Sequence, residues 1–210
     1  MTRVVYLHGF ASGPQSSKAG FFSAKLRECG VEVEIPRLDG GDFEGLTIAG
    51  QLAVIEKAVG GRPVVLMGSS LGGYLAALYA ARHAEVERVV LLAPAFHFPQ
   101  RLRERYAADL ERWEREGSIA VYHYAYQEER RLGYQFLVDA GLYEDEPDFN
   151  QPGLVIHGRG DPVVPVGVSQ AFAEGHRNVT LRVMESGHEL TDVLEPMWEE
   201  VRRFLADERG

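Results

Sequence analysis

The chain has 210 residues, of which 45% are hydrophobic and 25% are charged, a composition typical of a folded globular protein with a substantial core. Its formal net charge of −9 argues against long-range attraction to phosphate backbones or anionic membranes, so we expect a small-molecule substrate and no nucleic-acid partner. The single cysteine, the lack of a signal-peptide pattern and the lack of any apolar run near ~18 residues predict a cytoplasmic protein without disulfides or membrane spans.

Strand-like and helix-like segments alternate along the sequence, which predicts one α/β domain over residues 1–210 with a mainly parallel sheet and helices on both faces. Most strand-like runs are continuously apolar, as buried parallel strands are. The six predicted strands lie at residues 4–7, 31–35, 64–67, 89–92, 154–157 and 179–184. Helical spacing of apolar residues predicts helices at 17–26, with Ser17 as the cap, and near 52–59, 71–78 and 197–205.

The alternation is interrupted between the fourth and fifth predicted strands, where the segment is too long for one crossover helix. We interpret residues 95–151 as a small helical cap inserted into the domain. Because an amphipathic stripe reports only burial, a packing role and a substrate-covering role both stay open for this cap. Its apolar residues at helical spacing are Leu102, Tyr106, Leu110 and Trp113, followed by alternating Tyr122, Tyr124 and Tyr126 and a second helix with Leu132, Phe136 and Leu137.

The third predicted strand runs into the sequence GSSLG at residues 68–72. Glycines on both sides of Ser70 match the Gly-x-Ser-x-Gly nucleophile elbow, a strand-to-helix turn too tight for flanking side chains. The pattern predicts Ser70 as a nucleophile. A five-residue pattern such as Gly-x-Ser-x-Gly also occurs by chance, so the hypothesis depends on finding a base and an acid elsewhere in the sequence.

In hydrolases with such an elbow, the acid and the histidine follow the serine in that order. Asp161 comes after the fifth predicted strand and His188 after the sixth, so both are predicted at the sheet edge that carries Ser70. Asp139 and Asp192 are alternative acids, and Asp161 could instead cap the following helix. The other candidate bases are His8, His83, His97, His123, His157 and His176, of which His8 and His157 are expected to support their loops.

The loop after the first strand, His8-Gly9-Phe10, is predicted to face the elbow if the first and third strands are neighbours and the second strand lies outside them. The backbone N–H groups of Phe10 and Leu71 then form the expected oxyanion hole.

At these residues the resemblance to known proteins becomes specific. The whole chain resembles the α/β-hydrolase superfamily, and residues 6–19, YLHGFASGPQSSKA, with the elbow GSSLGGY at 68–74, resemble the small YqiA-type esterases. That resemblance implies ester or thioester hydrolysis, with acyl-CoA among the substrates and no metal or organic cofactor. The Arg/Glu-rich segment with Trp113 is similar to the cap of mitochondrial acyl-protein depalmitoylases, which implies acyl-protein substrates as a second possibility.

The sequence therefore predicts a serine hydrolase that cleaves carboxylic esters or thioesters through an acyl-serine intermediate. The same residues could act on a peptide, a lactone or a carbon–carbon bond, or remain in a non-catalytic ligand-binding protein of the same fold. The cap aromatics either line an acyl pocket or form the cap's own core. Those assigned to the pocket are Phe96, Phe98, Trp113 and Tyr122.

Overall fold

The computed structural model describes residues 3–206. The strands are β1 (Arg3–Leu7), β2 (Glu32–Glu34), β3 (Val64–Ser69), β4 (Val86–Leu92), β5 (Ser118–His123), β6 (Glu128–Gly133), β7 (Gly153–Gly158) and β8 (Val179–Met184). The helices are α1 (Ser17–Glu28), α2 (Ile48–Val59), α3 (Leu71–Ala80), α4 (Phe98–Arg105), α5 (Leu110–Glu116), α6 (Gln135–Ala140), α7 (Val166–Gly175) and α8 (Leu194–Ala206). In the described part of the chain, no helix combines the length and apolar character needed to cross a bilayer.

Six strands form one sheet in the order β2-β1-β3-β4-β7-β8, and every neighbouring pair is parallel. The predicted fold class is confirmed, as is the placement of β1 between β2 and β3. From β1 the chain continues to β2, towards one edge of the sheet, and from β3 it continues to β4, towards the other edge. The point where the strand order reverses therefore lies between β1 and β3. Loops that follow β1 and β3 consequently meet at the carboxyl edge of the sheet.

The continuous apolar runs arise because both faces of the sheet are covered, and alternate residues of each strand enter different cores. Val5 and Leu7 of β1 pack with α2 and α3, whereas Val4 and Tyr6 pack with α1 and α8. Burying each such aliphatic side chain contributes about 1.5–3 kcal/mol to folding. The two cores hold the strand ends, and hence the loops after them, at fixed positions.

The insertion between β4 and β7 differs from the all-helical prediction. The predicted first helix is broken into α4 and α5, and the tyrosine-containing stretch belongs to an antiparallel hairpin of β5 and β6. Ile119, Val121 and His123 face inward while Tyr122 faces solvent, which is the period of two that a strand requires. Leu132, predicted in a helix, lies in β6. The expected cap at Ser17 is also wrong, because Ser17 is the first residue of α1 and Ser16 precedes it.

Candidate active site

The turn from β3 into α3 gives Ser70 an unusual backbone, with φ of 54° and ψ of −118°. A non-glycine residue with positive φ is strained and needs support from its surroundings. That support comes from hydrogen bonds, because the Ser70 N–H donates to Leu92 O at 2.9 Å and the Ser70 carbonyl accepts from Gly73 N and Tyr74 N at 2.9 and 3.1 Å. The turn presents the half-buried Ser70 side chain at the carboxyl edge of the sheet.

The two glycines of the elbow are required by close backbone approaches. A Cβ on Gly68 would lie 2.2 Å from the carbonyl oxygen of Gly72, and a Cβ on Gly72 would lie 2.1 Å from that of Leu7. Both distances are far inside van der Waals contact, and the atoms that a Cβ would meet are backbone atoms that cannot rotate away. The pattern around Ser70 is therefore a packing requirement of the turn.

We expect Gly72→Ala to lower the free energy of unfolding by about 3 kcal/mol or more, at or beyond the upper end of overpacking changes. Gly20→Ala is the matched control, since Gly20 lies in α1 with no atom near its added Cβ, and there alanine should stabilise by about 0.5–1 kcal/mol. Urea denaturation of both variants checks the prediction. Equal stability of the Gly72→Ala and parent proteins would contradict the close approach.

The structure brings Ser70, His188 and Asp161 into one hydrogen-bonded series. His188 Nε2 lies 3.0 Å from Ser70 Oγ, and His188 Nδ1 lies 2.7 Å from Asp161 Oδ2. Because a carboxylate only accepts, Nδ1 carries the proton in the neutral ring and Nε2 is free to accept from the serine hydroxyl. This arrangement can take a proton from Ser70 as its oxygen attacks an electrophile.

Asp161 is fixed by four donors. Its Oδ1 accepts from the N–H groups of Val163 and Val164, each at 2.8 Å, and its Oδ2 accepts from His188 and lies 3.1 Å from His157 Nε2. Burial by itself raises the pKa of this carboxyl, but the hydrogen bonds from His157, His188 and Val164 outweigh burial and hold the pKa well below its usual range. The group is thus a carboxylate at neutral pH.

His157 is fully buried behind this carboxylate. Its Nε2 faces two acceptors, Val164 O at 2.8 Å and Asp161 Oδ2, so Nε2 carries the proton, and its Nδ1 is 2.8 Å from Ser169 Oγ. The residue holds the loop that carries Asp161, and its full burial keeps it away from the surface at Ser70.

Lys18 is a part of the site that sequence reasoning missed. Its ammonium group donates to the carbonyl oxygen of Glu189, the residue after His188, at 2.6 Å. Burial lowers the pKa of Lys18, while the negative charges of Glu189 and Asp161 oppose that shift. The contact joins residues 171 positions apart, so only the motif QSSKA in the first loop hinted that this lysine matters.

The loop after β1 lies against the elbow. A Cβ built on Gly9 would be 3.5 Å from Ser69 O and 3.6 Å from Ser70 Cβ, so a gap of about one methyl group separates the Gly9 backbone from the nucleophile's own residue. Within residues 3–206, neither the Phe10 N–H nor the Leu71 N–H donates a hydrogen bond. Two uncommitted donors thus flank the turn at Ser70.

Apart from His123, the alternative residues have hydrogen-bond partners elsewhere. His8 Nε2 accepts from Leu38 N at 3.3 Å and its Nδ1 faces Gly9 O, and burial lowers the pKa of this ring. Asp139 accepts from Ala49 N, and Asp192 accepts from Ser186 Oγ. Three other histidines also have partners, namely Glu85 for His83, Glu146 for His97 and Phe172 O for His176. His123 is buried, and its Nδ1 has no partner among the described residues.

Two of the four aromatic residues assigned to an acyl pocket are packed inside the core. Phe96 is 0% exposed and stacks on Phe172 at 4.1 Å, and Trp113 is 0% exposed and donates its indole N–H to Leu132 O at 2.9 Å. Neither offers a face to a substrate, because Trp113 is buried within the insertion and Phe96 is buried against Phe172 of α7. Phe98 is 9% exposed and packs edge-on against Phe136, while Tyr122 is 49% exposed.

One group of metal-compatible side chains lies at the opposite edge of the sheet. Carboxylate or imidazole atoms of Glu56, His83 and Glu85 are within 4.8 Å of one another, ahead of β4. The Tyr79 hydroxyl lies 2.5 Å from Glu56 Oε2 and 3.1 Å from Glu85 Oε1 and can donate its one proton to either, so the group already has an internal partner. It is separate from Ser70, which lies after the carboxyl end of β3.

One comparison with known proteins shows the family, and another shows the fold. Residues 3–205 match the uncharacterised protein family UPF0227, whereas no curated protein sequence gives a significant match. The crystal structure of a protein from Agrobacterium vitis S4, provisionally named a hydrolase, is 22% identical to this chain with a TM-score of 0.81. The match covers 97% of this chain and 87% of the Agrobacterium chain. Est1E from Butyrivibrio proteoclasticus is 20% identical with a TM-score of 0.76, covering 98% of this chain and 89% of its own.

Alpha/beta hydrolase domain-containing protein 10 from mouse is 18% identical with a TM-score of 0.78, covering 97% of this chain and 90% of its own. At such identities a structural likeness establishes the fold alone, and fold does not determine activity. The arrangement of the sheet, the elbow at Ser70 and these likenesses together identify the α/β-hydrolase fold.

Proposed function

The chain belongs to the uncharacterised protein family UPF0227, and from that premise we propose that it is a serine hydrolase that cleaves carboxylic esters or thioesters. The observation that carries the proposal is the series from Ser70 through His188 to Asp161, with distances of 3.0 and 2.7 Å. A binding protein has no need of a strained serine aligned with a histidine and a buried carboxylate.

In the acylation step, Ser70 Oγ attacks the acyl carbon while His188 Nε2 accepts the hydroxyl proton. Asp161 holds the neutral ring with its proton on Nδ1 and stabilises the imidazolium that forms. When the tetrahedral intermediate collapses, the bond to the leaving oxygen or sulfur breaks and His188 returns the proton to that atom. An acyl-Ser70 ester and a free alcohol or thiol result.

The negative oxygen of the tetrahedral intermediate requires donors aimed at it. We assign this role to the N–H groups of Phe10 and Leu71, and each such donor contributes a factor of roughly 100 to 1000 in rate. Support comes from the closeness of the Gly9 backbone to Ser70 and from the lack of other partners for both N–H groups within residues 3–206. Deacylation repeats the sequence, with water attacking the acyl carbon and His188 acting again as base.

A common acyl intermediate can be tested by partitioning. Hydrolysis of p-nitrophenyl butyrate and of a butyryl thioester in the presence of methanol should give the same ratio of methyl butyrate to butyric acid, because both substrates pass through butyryl-Ser70. Gas chromatography measures the products, with Ser70→Ala as the control for uncatalysed reaction. Different ratios would contradict the shared intermediate, and no turnover of either substrate would contradict the proposal.

The contact of Lys18 with the loop that carries His188 gives a second expectation. Lys18→Met should lower kcat for p-nitrophenyl butyrate by about 10- to 100-fold with KM near that of the parent, since small displacements of a catalytic group have effects of this size. Lys25→Met is the matched control, because Lys25 is on the same helix and pairs with Glu195 instead. Steady-state kinetics of both variants measure kcat and KM. Equal effects of the two substitutions on kcat would contradict a role of Lys18 in positioning the loop that carries His188.

A further inference from the structure

A cavity of about 200 Å³ that several polar side chains line lies at the carboxyl ends of β1 and β2. Its walls come from the loops after these strands and from the turn of the β5–β6 hairpin. A narrower pocket shares Ser12, Asp39 and His123 with the cavity and extends to Gly9 and Phe10. Because the Gly9 backbone lies close to Ser70, the narrower pocket connects the lining of the cavity with the loop beside the candidate active site. The polar side chains that line it are Ser12, Gln15, Arg37, Asp39, His123 and Tyr126.

Among the residues that line this cavity, His123 has a buried ring nitrogen without a hydrogen-bond partner in the described part of the chain. The residue is 2% exposed, and this nitrogen is Nδ1. Its ring packs edge-on against Phe43 at 4.7 Å and lies 4.5 Å from Tyr126. A buried polar atom without a partner costs about 1–3 kcal/mol, so native proteins satisfy such atoms with water or a ligand. The orphaned nitrogen therefore indicates a partner from outside the chain.

The charges around the cavity balance. Arg37 Nε pairs with Asp39 Oδ1 at 2.8 Å, and the guanidinium group also donates to the Tyr126 hydroxyl. Burial lowers the pKa of His123, with Arg130 and Arg37 adding to the effect and Asp39 opposing it, so the ring is neutral at pH 7. With one cation paired to one anion, the lining offers little to a charged ligand. Its carboxylate, imidazole and hydroxyl groups instead suit a ligand whose groups both donate and accept.

The narrower pocket combines apolar and polar groups beside the loop after β1. Phe10, which lines it, stacks on Phe136 at 5.6 Å and contacts Phe43 at 5.8 Å. Asp39 and His123 line both this pocket and the cavity, so the cavity's polar groups begin where the aromatic contacts end. A cavity of about 200 Å³ has room for several waters or for a three-carbon polyol.

We propose that this cavity binds an uncharged, hydroxyl-bearing alcohol portion of the substrate, so that the preferred substrates are esters of polyols. The inference rests on the proposed function, because it assigns the cavity to the leaving group of the Ser70 reaction. His123 contributes a hydrogen bond to a substrate hydroxyl and thereby determines specificity, without touching the reacting atoms.

The test compares glycerol 1-monobutyrate with ethyl butyrate, which share the acyl group and differ in the alcohol. We expect the parent protein to favour the glycerol ester in kcat/KM by about tenfold or more, as one or more hydrogen bonds to a substrate hydroxyl provide. His123→Phe keeps the ring packing and removes both nitrogens, and it should abolish this preference through a raised KM for the glycerol ester. His176→Phe, a histidine stacked on Phe172 instead, is the matched control and should leave the preference intact.

A second variant protects the test against a folding defect in His123→Phe. Ala125→Leu narrows the cavity from the exposed hairpin turn and should raise KM for the glycerol ester alone. Equal kcat/KM for both esters in the parent protein, or equal losses for both esters in the two variants, would overturn the proposal and leave a cavity that holds water only.

Calorimetric binding of glycerol 1-monobutyrate to Ser70→Ala separates this inference from the proposed function. If the parent hydrolyses neither ester but Ser70→Ala binds the glycerol ester, and Ser70→Ala with His123→Phe does not, the proposed function and the leaving-group role fail, and only the binding of a polyol ester at the cavity stands. If ethyl butyrate is hydrolysed and glycerol 1-monobutyrate is neither bound nor preferred, the function stands and the cavity assignment fails.

Discussion

Replacing Ser70 with alanine is expected to lower kcat for p-nitrophenyl butyrate by about a millionfold, the size of effect seen when a serine nucleophile is removed. The fold should persist, because Ser70 Oγ contributes one hydrogen bond, to the half-buried His188, while the backbone bonds that hold the turn do not involve the side chain. Steady-state kinetics and thermal unfolding measure the two expectations together.

Ser69→Ala is the matched control for this substitution. Ser69 precedes Ser70 in the sequence but ends β3, and it is 5% exposed. Its replacement should leave activity within about tenfold of the parent, since no transition-state interaction is assigned to it. Activity retained in Ser70→Ala and lost in Ser69→Ala would reverse the assignment of the nucleophile.

Asp161→Asn is expected to lower kcat by about 10,000-fold, by analogy with the same change in the serine-protease triad. An asparagine can still accept from the Val163 and Val164 N–H groups, so the loop keeps its form. Its amide group, however, can donate to His188 Nδ1 and favours the tautomer that carries the proton on Nε2, which cannot accept from Ser70. Near-parental kcat in Asp161→Asn would exclude this residue as the orienting acid.

The depressed pKa of Asp161 also predicts how this substitution changes stability with pH. Because the folded protein holds the carboxyl pKa below the unfolded value of about 3.9, the stabilisation is fully present above that pH and is lost as pH falls below it. The difference in free energy of unfolding between the parent and Asp161→Asn should therefore be largest near pH 7 and should shrink below about pH 4. Urea denaturation across this range measures it, and a difference independent of pH would contradict the ionised state.

Much of the fold and the order of the site residues could be predicted from local patterns. The apolar strand β3 with Gly68 and Gly72 on either side of Ser70 leaves few alternatives to a tight strand-to-helix turn. Backbone atoms approach both glycines so closely that neither position has room for a Cβ. Asp161 and His188 could be placed because parallel strands deliver the residues after them to one edge.

Other features depend on contacts that no local pattern encodes. The spacing of Trp113 correctly indicated burial, but only the folded insertion shows that its partner is Leu132 of a hairpin and not a substrate. The alternation of tyrosines around Tyr122 was too short to distinguish from a loop. Lys18 contacts Glu189 across most of the chain, and the orphaned nitrogen of His123 becomes visible only when two loops and a turn enclose it.

The central claim, that Ser70 is an activated nucleophile, is tested most directly by covalent labelling. A fluorophosphonate reacts with a serine whose oxygen is activated by a neighbouring base, and intact-mass analysis with peptide mapping counts and locates the adducts. We predict one adduct per chain, at Ser70, in the parent protein and none in Ser70→Ala. A folded parent protein that stays unlabelled, or an adduct at another residue, would contradict the account.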